Sequence, residues 1–379
     1  MAIYFDNAAT TRPCAECIEA VTAALTVQYG NPSSLHSFGL AAQKCVDAAR
    51  AQLGKALSCE PECITFTSGA TESNNLAVRG IAAAYGRNRR RIITTTVEHA
   101  SVRAACDLLE EQGFEVIRIA PDADGQITPE AVLAAADEHT CLVTAMLVNN
   151  ETGAILPIAE IFGAVKAKYP EIITHCDAVQ GFMKLPVSPR TLHADLLTVS
   201  GHKVHAAKGV GALYHKKGIR LKPLITGGEQ EAGIRAGTES VPLIMGFGAA
   251  VGALSGTVEA RYQKVSVLCE KAVSMLSQTE GVTVQSKAPC SPYVLSISVN
   301  GLRSETMLHF FAEKGIYVSS GSACSKGKQS GVLQQFGIKQ NAADSTLRLS
   351  FCAENTEEEL AAFCEALKEA QGRLVRKRR

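Results

Sequence analysis

The sequence predicts an α/β protein with two parts: a large domain built on a mostly parallel sheet, and a smaller α+β domain. Between residues 63 and 214, short apolar runs alternate with amphipathic or Ala-rich segments, the pattern of an open sheet covered by helices. After about Gly256 the order changes to long helix, strand, helix, strand, helix. A length of 379 residues allows two or three domains at roughly 100–200 residues each.

In chain order, the expected strands of the large sheet are 63–67, 91–96, 114–119, 141–148, 172–176, 195–199 and 211–214. Each is a short apolar run, and helical patterns lie between most of them. The Gly-rich stretch 222–237 has no clear period and reads as a loop crossing a surface. Strands at 294–299 and 346–351, a helix at 304–314 and a closing helix complete the smaller part. The expected division is 15–255 for the large domain, with 1–14 and 256–379 forming the small one, including a loop at about 318–331.

The net charge is +1, which supplies no general attraction to nucleic acid or anionic membrane. No apolar run approaches the ~20 residues of a membrane span. Met1–Asp6 is not followed by a basic segment and apolar core, so the expected compartment is the cytoplasm, with reduced thiols. The basic tail 373–379 reads as a solvated end.

The 13 cysteines sort by surroundings. Cys14 and Cys17 form a lone Cys-x-x-Cys without a second pair, so no structural metal site is expected. Cys45, Cys106, Cys269 and Cys364 fall among Ala, Leu and Val in helical periodicity, and Cys63, Cys141 and Cys176 sit in or beside strand-like runs. These read as small core residues. Cys324 differs, because Ser319-Ser320-Gly321-Ser322-Ala323-Cys324-Ser325-Lys326-Gly327-Lys328 is polar and glycine-rich. Such a loop would expose its thiol, where nearby lysines would favour the thiolate.

Ligands of open α/β sheets bind at the carboxyl ends of the strands. There the chain carries Thr67-Ser68-Gly69-Ala70-Thr71, a strand followed by a glycine turn and a helix start suited to a phosphate. Thr96-Val97-Glu98-His99 places a histidine at a helix entrance. Thr174-His175-Cys176-Asp177 ends a buried strand with an acid, and the next ends Ser200-Gly201-His202-Lys203. An acid and a lysine at successive strand ends suit pyridoxal phosphate: the lysine forms a Schiff base and the acid keeps the pyridine nitrogen protonated.

Tyr4–Thr11, Gly30–His36, Ser68–Asn75, Val148–Gly153, Ser200–Lys203, Arg235–Glu239 and Ser319–Cys324 together resemble the NifS/IscS-type cysteine desulfurases, in order from Tyr4 to about Glu359. The resemblance implies the aspartate-aminotransferase-like fold of pyridoxal 5'-phosphate enzymes, L-cysteine as substrate, a homodimer, and a sulfur-acceptor or scaffold protein as partner. Carried over by position, Lys203 would hold the cofactor and move protons, Asp177 would face the ring nitrogen, and Gln180 its phenolic oxygen. His99 would stack on the ring. Ala70, Thr71, Ser200 and His202 would hold the phosphate, with Thr238 reaching the partner subunit's cofactor. Asn7, Asn150 and Arg348 would bind substrate. The Cys324 thiolate would take the sulfur as a persulfide, leaving alanine, for iron–sulfur assembly or tRNA thiolation.

The chain departs from the family pattern in places. Ala206-Ala207 precede Lys208 where Gly-Pro is usual, Met183, Cys352 and Glu229 stand where glycine is common, and the segment after Cys324 is short. Alternatives are a relative acting on selenocysteine or cysteine sulfinate, an aminotransferase of the same fold, or a cofactor-free scaffold. Cys324 argues against the aminotransferase, and the Lys203–Asp177 pair against the scaffold.

Overall fold

The computed structural model describes residues 2–320, 323–324, 328–329 and 331–374, with the backbone alone for 323–324 and 328–329. The chain opens with β1 (Ile3–Tyr4), α1 (Ala15–Thr26) and α2 (Ser37–Leu57). Then come β2 (Ile64–Thr67), α3 (Ala70–Tyr85), β3 (Arg91–Thr95), α4 (Ala100–Glu111), β4 (Glu115–Ile119), α5 (Pro129–Ala135) and β5 (Thr140–Met146). They continue with α6 (Ile158–Lys168), β6 (Ile173–Asp177), β7 (Leu196–Ser200) and β8 (Gly211–His215). Every expected strand of this region is present.

Among the described residues these strands form one sheet in the order β2-β8-β7-β6-β5-β3-β4. It is parallel except for β8, which runs against both β2 and β7. Successive side chains point to opposite faces. Ile92, Leu142, Leu196 and Leu213 join Leu76 and Ile81 of α3 and Val102 of α4, while Ile93, Val143, Leu197 and Ala212 join Leu53 of α2, Phe162 of α6 and other residues on the opposite face. With both faces covered, the strands read as unbroken apolar runs.

Within 222–237, the expected surface loop has a buried anchor. Glu231 sits at φ 48°, and its carboxylate accepts from Arg50 at 2.7 and 2.8 Å and from the Phe66 N–H at 2.9 Å. A buried carboxylate needs such partners.

The chain continues with α7 (Val241–Leu254), α8 (Val258–Ser277), β9 (Val282–Val284), β10 (Val294–Val299), α9 (Ser304–Glu313), β11 (Ile316–Tyr317) and β12 (Ser319–Ser320). It ends with β13 (Ala323–Cys324), β14 (Lys328–Gln329), α10 (Val332–Gln335), α11 (Gln340–Ala343), β15 (Thr346–Ser350) and α12 (Glu357–Arg373). An antiparallel sheet in the order β12-β15-β10-β9 and a β1–β11 pair belong here. Leu268, Ile297, Phe311, Leu349 and Phe363 form a separate core, and Phe5 completes it with its ring 5.3 Å from Phe351 and 6.3 Å from Phe363. Phe5 thereby ties the amino terminus to the second core, and the next few residues run on to the turn after β7, where the Thr11 N–H donates to the His202 carbonyl.

Among the described thiols, Cys17, Cys63, Cys106, Cys141, Cys176, Cys269 and Cys364 are buried, whereas Cys14, Cys45, Cys59, Cys290 and Cys352 keep partial exposure. Burial pushes Cys59, Cys106, Cys141, Cys269 and Cys352 up to about 12, so these thiols stay protonated near neutrality.

Candidate active site

The carboxyl ends of β2, β3, β5, β6 and β7 open on one cavity of about 750 Å³. Ala70, Thr71, His99, Asn150, Asp177, Gln180, Ser200, His202, Lys203 and Arg348 all line it, drawn together from across the chain. Ala8, Ala9 and Thr10, which follow Phe5, close one side.

Gly69 caps α3 at φ 150°, a conformation that side-chain-bearing residues rarely adopt. Its backbone packs against Gly211, where an added Cβ would stand 2.7 Å from it. This pairing lets β2 turn sharply into the helix, whose first N–H groups have no intrahelical partner. Glu72 braces the turn by accepting from the Ser68 N–H at 2.9 Å and hydroxyl at 2.6 Å, and from Arg235 at 2.9 Å. Burial opposes the charge on Glu72, but Arg235 and Ser68 prevail and hold its carboxyl below the usual range.

Asp177 is buried at the end of β6. Its Oδ2 accepts from Asn74 Nδ2 at 2.7 Å and its Oδ1 from the Val179 N–H at 3.1 Å. Asn74 Nδ2 also donates to Ser101 Oγ at 2.8 Å. His99 caps α4, and its Nδ1 accepts from the Ser101 N–H at 3.2 Å and lies 2.8 Å from Ser101 Oγ. The Ser101 hydroxyl, accepting from Asn74, donates to Nδ1, so a neutral ring carries its hydrogen on Nε2. Although His99 keeps solvent exposure at the cavity mouth, desolvation by the surrounding walls, with Lys203 and Arg103 assisting against Asp177, lowers its pKa and favours that neutral ring.

Lys203 ends a short 3₁₀ turn after β7. Its Nζ donates to the carbonyls of Ala8 at 2.6 Å and Ala9 at 2.7 Å. Burial, then Arg348, brings the amine down to about 8, which makes it a better nucleophile near neutrality. His202 is held down to about 4, mainly by burial. Arg348 on β15 donates to the Asn150 carbonyl and to Asp6 Oδ1, both at 2.9 Å. Its buried Nε has no partner among the described residues. Ser319, which also lines the cavity, pairs with Arg348 across β12 and β15. The loop that carries Cys324 therefore leaves from the cavity wall. The Cys324 side chain and residues 375–379 of the basic tail lie outside the described residues.

Two expectations separate from this cavity. Asn7 stands apart from it: its amide donates to the Tyr4 and Ser350 carbonyls and to Asn355 Oδ1, at 3.2, 3.0 and 3.3 Å. These contacts hold the crossing of the amino-terminal segment with β15, and Asn7 lines a different cavity. Thr238 is exposed and does not line its own chain's cavity.

The residues present fit a phosphorylated pyridine. Ser200 Oγ is buried on the cavity wall without a partner among the described residues, beside the start of α3. Such an orphan hydroxyl suits a phosphate oxygen. Asp177 faces the same space and provides the anion that a protonated ring nitrogen requires.

A family model described as Aminotransferase class-V matches residues 3–363. The chain belongs to this family. Within it, the chain falls among the NifS/IscS-type cysteine desulfurases. It is 39% identical over 376 residues to a cysteine desulfurase of Trichormus azollae, covering 98% of this chain and 93% of that one. It is 37% identical to the cysteine desulfurase IscS of Methanosarcina thermophila, covering 97% and 91%. A solved NifS-like protein superposes with a TM-score of 0.94 at 36% identity, covering 99% of this chain and all of the other. The family uses pyridoxal phosphate.

Sequence reasoning missed Asn74, Ser101 and Glu72, which hold the site residues in place. Asn74 and Ala70 are four apart, one helical turn, so they share the cavity-facing side of α3. That period was the available signal.

Proposed function

We propose that this chain is a pyridoxal-phosphate-dependent cysteine desulfurase that converts L-cysteine to L-alanine and passes the sulfur to Cys324. The observation that carries this reading is Lys203, a half-buried amine held by Ala8 and Ala9 in the cavity that also contains Asp177 and the start of α3. The cofactor, when bound, supplies the electron sink that makes the substrate Cα proton acidic.

The chain's own residues then divide the work. Asp177 would keep the ring nitrogen protonated, His99 would stack on the ring, and Gln180 would donate to the phenolic oxygen. The start of α3, Ser200 and His202 would hold the phosphate. Arg348, oriented by Asp6 and Asn150, grips the substrate carboxylate with its planar fork. The Lys203 amine, at about 8, would be the base that takes the Cα proton. The Cys324 thiolate attacks the substrate sulfur. An S–S bond forms as the C–S bond breaks, the electron pair staying with the carbon fragment that becomes alanine after protonation. Cys324 is five residues beyond Ser319, a reach of at most about 17 Å for extended chain.

A second copy of the chain is part of the proposal. Exposed Leu25, Val27, Tyr29, Leu35, Phe38 and Leu40 cluster around the start of α2 and support it, as does the exposed Thr238. A sulfur acceptor in the cytoplasm, serving iron–sulfur assembly or tRNA thiolation, completes it. The test is to supply L-cysteine and quantify alanine together with persulfide on Cys324. Equal amounts in one turnover are expected, with Cys324→Ser keeping the yellow colour and losing persulfide. Alanine formation undiminished in that variant overturns the role of the thiol.

A further inference from the structure

Lys184 is 7% exposed, and the roles above leave it unused. It follows β6 in a wound turn where the Lys184 and Leu185 N–H groups return to the Gly181 carbonyl. Met183 adopts φ 55°, and this left-handed residue helps turn Lys184 back toward Gln180. Lys184 Nζ donates to Gln180 Oε1 at 3.1 Å and stands 5.6 Å over the Tyr293 ring. Gln180 Nε2 donates to the Ala8 carbonyl at 2.9 Å, the same oxygen that receives Lys203 at 2.6 Å.

These contacts determine the orientation of the amide. A protonated lysine only donates and a carbonyl only accepts, so Oε1 must face Lys184 and Nε2 must face Ala8. One N–H of Nε2 is then used by Ala8, and the other is left for the cavity that Gln180 lines. Without Lys184, Oε1 would be a buried acceptor without its partner, and the amide could rotate its oxygen toward the cavity.

We propose that Lys184 is a positioning residue: it holds Gln180 by the amide oxygen and thereby commits the amide nitrogen to the cofactor's phenolic oxygen. The proposal rests on the pyridoxal phosphate reading of the cavity and deepens it. Lys203 and Arg348 repel a charge on Lys184, Cys352 favours it, and burial dominates, bringing its amine down to about 7. Lys184 thus changes charge near neutrality while keeping an N–H for Oε1 in either state, and its loss affects the cofactor in one direction. Removing the donor behind Gln180 and removing a nearby cation both favour a proton on the bound cofactor.

The experiment follows the visible absorbance of the holoenzyme against pH. Lys184→Met and Lys184→Ala delete the donor, whereas Lys184→Gln keeps one. The midpoint should rise by about half a pH unit or more in both deletions and stay nearer the wild-type value in Lys184→Gln. In a Gln180→Ala background, Lys184→Met should produce less than half that shift, because the residue through which it acts is gone. An unchanged midpoint in the folded deletion variants, or the same shift with and without Gln180, overturns the proposal. A wild-type chain that takes up no cofactor overturns the functional reading itself, which is a separate result.

Discussion

Asn74 Nδ2 lies 2.7 Å from Asp177 Oδ2, joining the first helix behind the cavity to the carboxylate at its floor across 103 residues of sequence. The same nitrogen reaches Ser101, and through it His99, so one amide orients two groups assigned to the ring. Replacing Asn74 by Ala removes a buried hydrogen bond to a charged group, about 1.5–3 kcal/mol. Cofactor affinity, measured by equilibrium dialysis, should fall about 10- to 100-fold. Unchanged affinity would separate Asn74 from the site.

Lys203 should govern cofactor uptake. Only its neutral amine is nucleophilic, and the amine sits at about 8 in the chain without cofactor. Stripped protein given pyridoxal phosphate should recover its visible band faster as pH rises, about tenfold per unit below 8, and level off above. Lys203→Ala should show no such band, and normal absorbance and turnover in that variant would disprove the assignment.

Arg348→Lys keeps the charge but loses the fork that meets Asn150 and Asp6. KM for L-cysteine should rise about tenfold or more, with cofactor absorbance unaltered, since the loss of a charge-assisted contact amounts to about 1.5–3 kcal/mol. Steady-state kinetics beside a spectrum checks both halves.

Glu98 is 2% exposed; Oε1 accepts from Thr95 Oγ1 at 2.7 Å and the Met146 N–H at 2.9 Å, while Oε2 has no partner among the described residues. Burial pushes it up to about 8, with Asp177 adding a smaller push. The folded chain therefore holds a proton that the unfolded chain releases above about 4.3, and Glu98's contribution to stability falls as pH rises from there to about 8. Glu98→Gln keeps the acceptor and removes the titration. Denaturant melts should show the variant gaining on wild type as pH rises from 5 to 8, by at most about 1.4 kcal/mol per unit. A constant difference across that range would refute the buried proton.

Lys203, Asp177 and His99 were legible because each ends or follows a strand, where the α/β architecture gathers ligands. Ser200 and the start of α3 were legible for the same reason. Asn7 was not placed by its motif alone: its neighbours Ala8 to Thr10 line the cavity, while its amide is taken up by the crossing with Ser350 and Asn355, more than 340 residues away. Lys184 and Glu98 gave no sign in a linear reading, since an isolated charge beside apolar residues looks the same whether it finds solvent or an interior partner.

Alternating apolar periods and strand-end polar clusters were enough to determine the strands, their burial on two faces and the side of the sheet that carries chemistry, because periodicity and turn propensity are local properties of the chain. Tertiary structure alone decided that Ala8 receives both Lys203 and Gln180, and that Ser319 stands beside Arg348. Those choices depend on which distant groups packing leaves within hydrogen-bonding reach, and burial then makes each unpaired polar atom costly enough to enforce them.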